Sequence, residues 1–402
     1  MVRQADVCIV GGGPAGMILG LLLAKQHVRV MVLESHSNFD REYRGEVLMP
    51  RFSQMMKQLN LFDVLERKPH QKLKQGKVFI NNKRAATFEF AEICREVPFA
   101  MWMPQPILLE ALYEEAKQYP EFHMEFNAPV KKIVQENGKI TGVVYEQNDE
   151  AVLVSALLTV ATDGRFSTVS KLAGYAHEYD FFENELIWFT IPKPDAYDNS
   201  FMIHITDKHN YLFLPKYPDL VQVGITMKRG EWKTIQTRGI EELKNELQAA
   251  SPLLSEFSRS LTDFHPFTIL QSKIFNVQDW AKEGCLVVGD AAHCSSPAGG
   301  IGVSLSVQTA IVAADVIYKG LQKGDLSQDV LSEVQKRRQD EIHSIHRIQM
   351  NAEKTVIATS RTLKKARALI LPFAVKTPLF RLFLRKLLTL AKPLEIDESF
   401  KF

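Results

Sequence analysis

The feature that most constrains this chain is a glycine-rich turn between an apolar segment and a helix-forming segment near its start. Residues 7–10 are mostly apolar, residues 11–16 read Gly-Gly-Gly-Pro-Ala-Gly, and residues 17–26 are rich in Leu and Ala. A strand, a Gly-x-Gly-x-x-Gly turn and a helix in this order are typical of a dinucleotide-binding unit. The pattern predicts a buried parallel strand and a helix whose N-terminus faces a pyrophosphate.

Each glycine of the turn has its own role in this interpretation. Gly11 allows the tight turn, Gly13 lets a pyrophosphate approach the backbone, and Gly16 lets the helix pack on the strand. Glu34 ends the next apolar segment, 28–33, and lies 18 residues after Gly16, where an acid binds a ribose hydroxyl. An ordinary tight turn is the alternative for an isolated glycine pattern, but the strand, helix and acid together favour nucleotide binding.

Length and composition restrict the class of protein further. A length of 402 residues predicts two or three domains. The net charge of +2 is too small to produce the positive potential that would indicate nucleic-acid binding. The four cysteines have no close pair or metal-like spacing, which indicates buried thiols in a reducing compartment and no metal site. We see no signal peptide and no apolar run long enough to span a membrane, so we expect a cytoplasmic protein.

Two polar positions flank the first unit. Residues 35–51 are expected to form a polar loop over the ligand, in which Arg44 either clamps a pyrophosphate or is a solvated arginine. Residues 107–119 have the apolar spacing of an amphipathic helix. Gln105 stands at the N-terminal edge of that helix, where it binds a ligand or caps the helix.

Two later strands also end in acids. Asp163 follows the apolar segment 153–162, at the carboxyl end of a strand where open α/β sheets bind ligands, although Asp-Gly is also a common turn. Asp290 follows a second buried strand and can hold a ribose or ribityl hydroxyl. The glycine-rich loop 297–302 then allows close backbone approach, and the helix 303–318 points its N-terminus at that loop, where it stabilises an anion.

The middle of the chain predicts a second sheet. Short β-branched and aromatic segments between residues 180 and 228 indicate antiparallel strands of a second domain. Inward-facing side chains are expected to include several of Trp188, Met202, His204, Tyr211, Phe213 and Met227. Each of these is alternatively a plain core residue, but as a set they predict an apolar and aromatic pocket.

The C-terminal part is basic. Residues 361–392 contain nine Lys or Arg residues, no acid, and interleaved Leu and Phe. Such a segment lies on an anionic membrane surface, or it covers the first domain with its long side chains running along apolar surface. Residues 328–371 are expected to form one or two long polar helices.

The glycine turn, Asp163-Gly164 and Gly289-Asp290 together resemble the group A flavoprotein monooxygenases of the para-hydroxybenzoate hydroxylase type, and most closely the branch of the ubiquinone-biosynthesis hydroxylases. The resemblance covers residues 5–350. It implies an α/β fold with a Rossmann-like FAD-binding domain of the GR2 type, an antiparallel β-sheet substrate domain and a C-terminal helical segment. The corresponding ranges are 1–75, 100–180 and 280–325 for FAD, 76–99 and 181–279 for substrate, and 326–402 for the C-terminal helices.

The resemblance implies FAD as cofactor. Its FAD-binding residues would be Gly11, Gly13, Pro14, Ala15, Gly16, Glu34, Arg44, Gln105, Val130, Asp163, Asp290, Pro297, Gly300, Ile301 and Gly302. Leu48 and Met49 stand where relatives often carry a polar residue, which makes the flavin-side pocket apolar and leaves the catalytic base unassigned. The substrate candidates are Met49, His204, Tyr211, Phe213 and Met227.

The activity implied by this resemblance is hydroxylation of an aromatic or other lipophilic small molecule. NADH or NADPH would reduce FAD, O2 would form a C4a-hydroperoxyflavin, and the protein would exclude water from it. Two alternatives stay open: an FAD-dependent reductase or dehydrogenase of a prenyl or polyene lipid, and a non-catalytic flavin-binding protein. A halogenase would in addition need a catalytic lysine that the sequence does not locate. Oligomeric state is not predicted.

Overall fold

The computed structural model describes residues 2–40, 47–181, 183–270, 273–297, 299–352, 354, 370, 373–374 and 377–402. Its strands are β1 Val2–Val10, β2 Val30–Leu33, β3 Val47–Leu48, β4 Gln71–Leu73, β5 Gln75–Ile80, β6 Lys83–Glu89, β7 Ala100–Trp102, β8 Phe122–Glu125, β9 Val130–Glu136, β10 Lys139–Gln147, β11 Glu150–Ala161, β12 His177–Phe181, β13 Asn184–Pro192, β14 Phe201–Ile205, β15 Asn210–Lys216, β16 Leu220–Lys228, β17 Thr268–Leu270, β18 Lys273–Val277, β19 Ala281–Lys282, β20 Cys285–Val287 and β21 His293–Cys294. Its helices are α1 Pro14–Lys25, α2 Pro50–Gln58, α3 Phe62–Glu66, α4 Phe90–Ile93, α5 Gln105–Ala116, α6 Thr168–Leu172, α7 Glu231–Arg238, α8 Ile240–Ala250, α9 Ser255–Ser260, α10 Gly302–Lys323, α11 Gln328–Ala352 and α12 Pro378–Leu388.

The N-terminal unit is built on an eight-stranded sheet. Its main order is β19-β20-β11-β1-β2-β8, and the β9–β10 hairpin adds to β11. The strands from β20 to β8 are parallel, and their apolar residues are buried on both faces, as the continuous apolar runs of the sequence predict. Helix α1 packs against both α5 and α10.

A seven-stranded sheet of order β17-β13-β16-β15-β14-β5-β6 forms the second unit. The strands predicted between residues 180 and 228 are confirmed as β13 to β16, and they pair antiparallel from β13 through β16 and β15 to β14. Strand β14 pairs parallel with β5, so the sheet is mixed rather than purely antiparallel. The β5–β6 hairpin comes from an earlier part of the chain and joins the sheet at its edge.

Two three-stranded sheets, β3-β7-β4 and β12-β18-β21, lie outside these two sheets. The first corrects an expectation. Residues 35–51 were expected to form one polar loop, but Val47–Leu48 is a strand and Arg51 is fully buried at the start of α2. The guanidinium of Arg51 donates to Gln308 at 3.1 Å and forms an ion pair with Glu341, and these partners make its burial possible.

Two helices, α11 and α12, are described in the C-terminal part, and residues 389–397 after α12 are not helical. Helix α11 covers Gln328–Ala352 of the predicted helical segment 328–371, and most of 353–371 lies outside the described residues. Helix α12 has its inner residues Leu387 and Leu388 buried. None of the helices in the described ranges is long and apolar enough to cross a membrane. All four cysteines are buried free thiols.

Candidate functional site

Four neighbouring parallel strands end at the same edge of the central sheet. Val10 of β1 is paired with Leu33 of β2 on one side and with Ala161 of β11 on the other, and Ala161 is paired with Val287 of β20. The residues that follow these strand ends are therefore adjacent in space. The glycine turn, Glu34, Asp163 and Asp290 stand at this edge, where open α/β sheets bind their ligands.

The glycine turn has the shape that a phosphate site requires. Gly11 has a φ of +108°, and a Cβ there would lie 2.6 Å from the carbonyl oxygen of Thr162. A Cβ at Gly16 would lie 2.0 Å from the carbonyl oxygen of Gly11, so both positions must be glycine for the turn to close. A Cβ at Gly13 would meet nothing within 4 Å, which leaves this part of the backbone open to a ligand.

Helix α1 begins with Pro14 and Ala15, directly after Gly13. No side chain caps this end by a hydrogen bond, and its first turn carries no acid. The uncapped N–H groups and the positive end of the helix dipole face the open side of the turn, an arrangement that favours a negatively charged group such as a pyrophosphate.

Glu34 is buried beside the glycine turn. Its carboxylate accepts a hydrogen bond from the backbone N–H of Gly12 at 2.8 Å and lies 2.7 Å from Nδ1 of His36. The backbone N–H of Ala128 donates to the carbonyl oxygen of Glu34 at 2.9 Å. Val130, the first residue of β9, is thus held two residues from this contact, so the structure brings two predicted FAD residues to one end of the site.

The two acids at the other strand ends are in different surroundings. The carboxylate of Asp163 accepts from the hydroxyl of Ser167 and from the backbone N–H of Thr168 at 2.7 Å, and so caps the N-terminal turn of α6. Burial raises the pKa of Asp163 despite these bonds. Asp163 can belong to a common Asp-Gly turn and still bind a ligand, because the loop that contains it faces the open edge of the sheet.

Asp290 has one described partner, the hydroxyl of Ser306, which donates at 2.9 Å. Burial raises the pKa of Asp290, and the nearby positive charge of Arg165 opposes that shift. Gly289 has a φ of +64°, and a Cβ there would lie 3.0 Å from Cβ of Ser306 and 3.3 Å from Cβ of Ala15. This tight contact holds Asp290 close to the N-terminal end of α1.

The loop 297–302 follows. The backbone N–H of Gly300 donates to the carbonyl oxygen of Pro297 at 3.0 Å, and Gly300 has a φ of +61°. Ile301 is fully buried, and Gly302 starts α10, whose N-terminus has no side-chain cap and no acid in its first turn. A Cβ at Gly300 would lie 3.2 Å from the methyl carbon of Met49, so Met49 lies directly against this loop.

Gln105 is buried as the first residue of α5, a helix without a side-chain hydrogen-bond cap, and α5 packs on α1. Arg44 lies outside the described residues. His293, a neighbour of the Asp290 loop, is packed instead of facing the open edge. Its Nε2 lies 2.8 Å from the hydroxyl of Thr309, and burial lowers its pKa well below the usual range.

The second sheet separates the predicted substrate residues between its two faces. Tyr211, Phe213 and Met227 lie in the apolar core that α7, α8 and α9 cover. His204 is on the same side, stacked on Phe79 with ring centroids 4.4 Å apart. Met49 is in a different apolar cluster. His204, Tyr211, Phe213 and Met227 therefore occupy core positions. The sequence analysis had left this open for each of them as the alternative to lining a pocket.

The other face of the sheet meets the glycine loop. Trp188, Leu186 and Leu214 belong to the apolar cluster that contains Met49 and Ile301. Successive residues of a strand point to opposite faces, so Trp188 and Phe189 cannot line the same pocket. The sequence predicted only that several of the six candidates face inward, because β-strand alternation shows two apolar faces and does not say which of them meets the loop.

Several residues of the site were not predicted. Thr162 donates through its hydroxyl to the carbonyl oxygen of Gly11 at 2.8 Å, and it thereby fixes the turn. Ser306 and Arg165 surround Asp290. In the sequence, these residues were marked only by their proximity to motif residues, since no spacing rule relates position 306 to position 290.

These residues fit an FAD. The open backbone at Gly13 and the two uncapped helix N-termini suit a pyrophosphate. An acid at each of two strand ends suits hydroxyl groups of a ribose or ribityl chain. A parallel dinucleotide-binding sheet with a second, mostly antiparallel sheet over its glycine loop defines a two-sheet flavoprotein.

Comparison with known proteins gives the family. The chain belongs to the FAD binding domain family, whose sequence profile matches residues 4–347. It is 30% identical over 392 residues to 6-methylpretetramide 4-monooxygenase of Streptomyces rimosus, covering 96% of this chain and 92% of the relative. A brominase of 1H-pyrrole-2-carbonyl-[peptidyl-carrier protein] from Pseudoalteromonas luteoviolacea (strain 2ta16) is 22% identical over 346 residues, 80% of this chain and 79% of that protein.

Among solved structures, p-nitrophenol 4-monooxygenase from Pseudomonas putida DLL-E4 has a TM-score of 0.79 at 20% identity, and the match covers 96% of this chain and 99% of that one. This likeness confirms the fold. With the family and the relatives, the protein is an FAD-dependent monooxygenase of group A, and therefore an oxidoreductase. The reductase and non-catalytic alternatives are not favoured.

Proposed function

We propose that the protein uses NADH or NADPH and O2 to hydroxylate a planar, lipophilic aromatic molecule. The observation that carries this proposal is the apolar cluster that joins Met49 and Ile301 of the glycine-loop region to Trp188 and Leu214 of the sheet. We propose that an aromatic ring binds between these surfaces, and names such as p-nitrophenol 4-monooxygenase among the relatives support an aromatic substrate.

The residues of the chain have separate tasks in this proposal. The turn Gly11 to Gly16 and the N-terminus of α1 bind the pyrophosphate, Glu34 and Val130 hold the adenosine end, and Asp290 holds the ribityl chain. Gln105, Asp163 and the loop residues Pro297, Gly300, Ile301 and Gly302 complete the FAD site, and Arg44 is proposed from its sequence position alone.

When bound, FAD supplies the electron transfer and the oxygen activation. The protein then has to orient the substrate and exclude water. The cluster around Trp188 and Met49 does both, because its side chains are almost fully buried and carry few polar atoms. We propose that the eight-stranded sheet serves FAD and that the face of the seven-stranded sheet carrying Trp188 serves the substrate.

The test uses purified protein with its flavin spectrum recorded first. Oxidation of NADH and NADPH in air is followed with a panel of phenols, quinolones and polyprenyl phenols, and 18O incorporation from 18O2 is measured in the product. We expect one compound class to accelerate oxidation and to gain one labelled oxygen. A bound flavin with no nicotinamide oxidation under any condition contradicts the proposal, and halide-dependent product formation would indicate a halogenase.

We also propose that α12 contacts an anionic membrane surface, which would give access to a lipophilic substrate. Leu379 and Leu382 are 75% and 63% exposed, and the basic Arg385 and Lys386 are exposed on the same helix. Exposed apolar and basic side chains on one short helix favour an anionic lipid surface. Parts of the basic segment 361–392 lie outside the described residues.

Co-sedimentation with vesicles tests this contact. We expect binding to phosphatidylserine vesicles, weaker binding to phosphatidylcholine vesicles, and loss of binding in a Leu379→Ser, Leu382→Ser double variant that keeps its FAD. Equal sedimentation with and without vesicles contradicts the contact, and α12 is then only a covering helix.

A further inference from the structure

Trp188 has an unusual place among the tryptophans of the chain. Its side chain is 5% exposed, and its indole N–H has no hydrogen-bond partner among the described residues. The indole N–H of Trp280, by comparison, donates to the carbonyl oxygen of Val277 at 3.1 Å. A buried N–H donor without an acceptor costs free energy, and a ligand that brings an acceptor to this N–H would remove that cost.

The surroundings of Trp188 fix its ring. A Cβ at Gly224, the residue opposite Trp188 on β16, would lie 2.9 to 3.1 Å from three carbon atoms of the indole six-membered ring. The ring therefore rests on the bare backbone of Gly224. These three carbons form the edge of the indole that is remote from its nitrogen, so the N–H points away from Gly224.

The same ring lines the side of the sheet that meets the glycine loop. Trp188 shares its apolar cluster with Met49 and Ile301, and Met49 touches the loop at Gly300. An isolated polar donor in an apolar cluster fixes the orientation of a ligand that carries one acceptor oxygen. Apolar walls alone bind an aromatic ring but do not choose which edge of the ring faces the loop.

We propose that the indole N–H of Trp188 binds an acceptor oxygen of the aromatic substrate, a phenol or ring carbonyl oxygen, and so selects oxygenated rings over plain hydrocarbons. This proposal rests on the proposed function, because it assigns a substrate-binding residue to the same site. Gly224 supports the proposal by giving the indole the space to lie flat on the sheet.

The experiment compares 2-naphthol with naphthalene, two rings of the same shape that differ by one oxygen. Binding of each to the FAD-loaded protein is measured by perturbation of the flavin spectrum. We expect the wild-type protein to bind 2-naphthol about tenfold more tightly, and Trp188→Phe to lose this preference while binding naphthalene as before.

Two further variants separate recognition from folding. Gly224→Ala places a methyl group against the indole and is expected to reduce the preference without removing the N–H. Trp232→Phe, on the opposite face of the sheet, is the matched control and keeps the preference. Melting temperature and FAD content are measured for each variant, so a misfolded protein is recognised.

Equal affinity of the wild-type protein for the two compounds overturns the proposal, and so does an equal loss of affinity for both compounds in Trp188→Phe. The binding assay needs no turnover. If the preference depends on Trp188 but no 18O enters any product, the proposed hydroxylation fails while Trp188 remains a ligand-binding residue.

Discussion

The glycines at the strand ends differ in what they contact. A Cβ at Gly11 would clash with the backbone of Thr162, and a Cβ at Gly16 would clash with the carbonyl oxygen of Gly11, so a side chain at either position prevents the turn from closing. A Cβ at Gly13 would meet nothing within 4 Å, so the fold itself does not require glycine there and a ligand explains it better. This difference allows a substitution that affects binding while the protein still folds.

Gly13→Ala tests this distinction. We expect FAD affinity to fall about tenfold or more, because the methyl group occupies the space through which a pyrophosphate approaches the backbone. The melting temperature of the apoprotein changes little, since the added Cβ meets no protein atom. FAD titration followed by fluorescence quenching measures the affinity, and thermal unfolding without FAD measures the stability.

Gly16→Ala is the comparison variant, in which the apoprotein itself is expected to be destabilised. Unchanged FAD affinity in Gly13→Ala would show that the open side of the turn does not face the pyrophosphate.

At the scale of elements, the second sheet and its helices are joined by a buried ionic cluster. Nδ1 of His209 is paired with Glu246 of α8, its Nε2 lies 3.2 Å from Glu231 of α7, and the hydroxyl of Tyr211 donates to Glu246 at 2.9 Å. Tyr211 is thereby engaged in holding α8 to the sheet. This contact explains why an aromatic residue with a polar group serves the core and not the substrate pocket.

The cluster predicts how stability depends on pH. Hydrogen bonds and charge attraction from Glu231 and Glu246 overcome burial and raise the pKa of His209 to about 9 from 6.5. The resulting stabilisation is fully present below pH 6.5 and is lost as the pH rises through about 9. The loss amounts to a few kcal/mol at most.

Urea unfolding of the wild-type protein and of His209→Gln measures this effect. We expect the free-energy difference between the two proteins to be largest near pH 6 and to shrink steadily by about pH 10. Subtracting the unfolding free energy of one protein from that of the other at each pH cancels the contribution of titrating groups that both proteins share. A difference that stays constant with pH would show that His209 is not the titrating group.

At the scale of the whole molecule, the C-terminal helices hold the N-terminal part of the chain. Glu341 of α11 is paired with both Arg51 of α2 and Arg338, and the guanidinium of Arg51 also donates to the carbonyl oxygen of Lys386 in α12 at 3.3 Å. These two cations lower the pKa of Glu341 to about 2. One carboxylate thus neutralises two buried arginines.

Glu341→Gln is expected to destabilise the protein by about 3 kcal/mol, because both guanidinium groups then remain buried without an anion. Urea unfolding near neutral pH measures the loss. Glu333→Gln, at an exposed position of the same helix, is the matched control and is expected to have little effect. Equal stability of the two variants would contradict the role of Glu341.

Helix α12 also closes the site from outside. A Cβ at Gly299 would lie 3.1 Å from Cδ2 of Leu387, so the helix packs directly on the glycine loop. Leu387→Ala opens this contact, and we expect a larger share of the NAD(P)H oxidised to end as hydrogen peroxide instead of hydroxylated product. The measurement is the ratio of peroxide to product.

Leu382→Ala changes the same residue type at a 63% exposed position of α12 and serves as the control. The same ratio of peroxide to product in the two variants would show that α12 does not shield the reaction.

The sequence alone determined the nucleotide-binding unit and the order of its parts. Local rules were sufficient there, because the glycine turn, Glu34, Asp163 and Asp290 each follow an apolar strand and parallel strands end at a common edge. The strands of the second sheet could be predicted for the same reason. Their alternation is a property of neighbouring residues in the chain.

The tertiary structure decided which side of the second sheet faces the site. Both faces of β13 are apolar, so alternation could not distinguish Trp188 from Phe189, and only the packing of α7 to α9 on one face resolves them. The burial of Arg51 and the contact of Leu387 with Gly299 likewise depend on segments that are far apart in the chain. Such contacts follow from how the layers pack, which no local pattern in the sequence specifies.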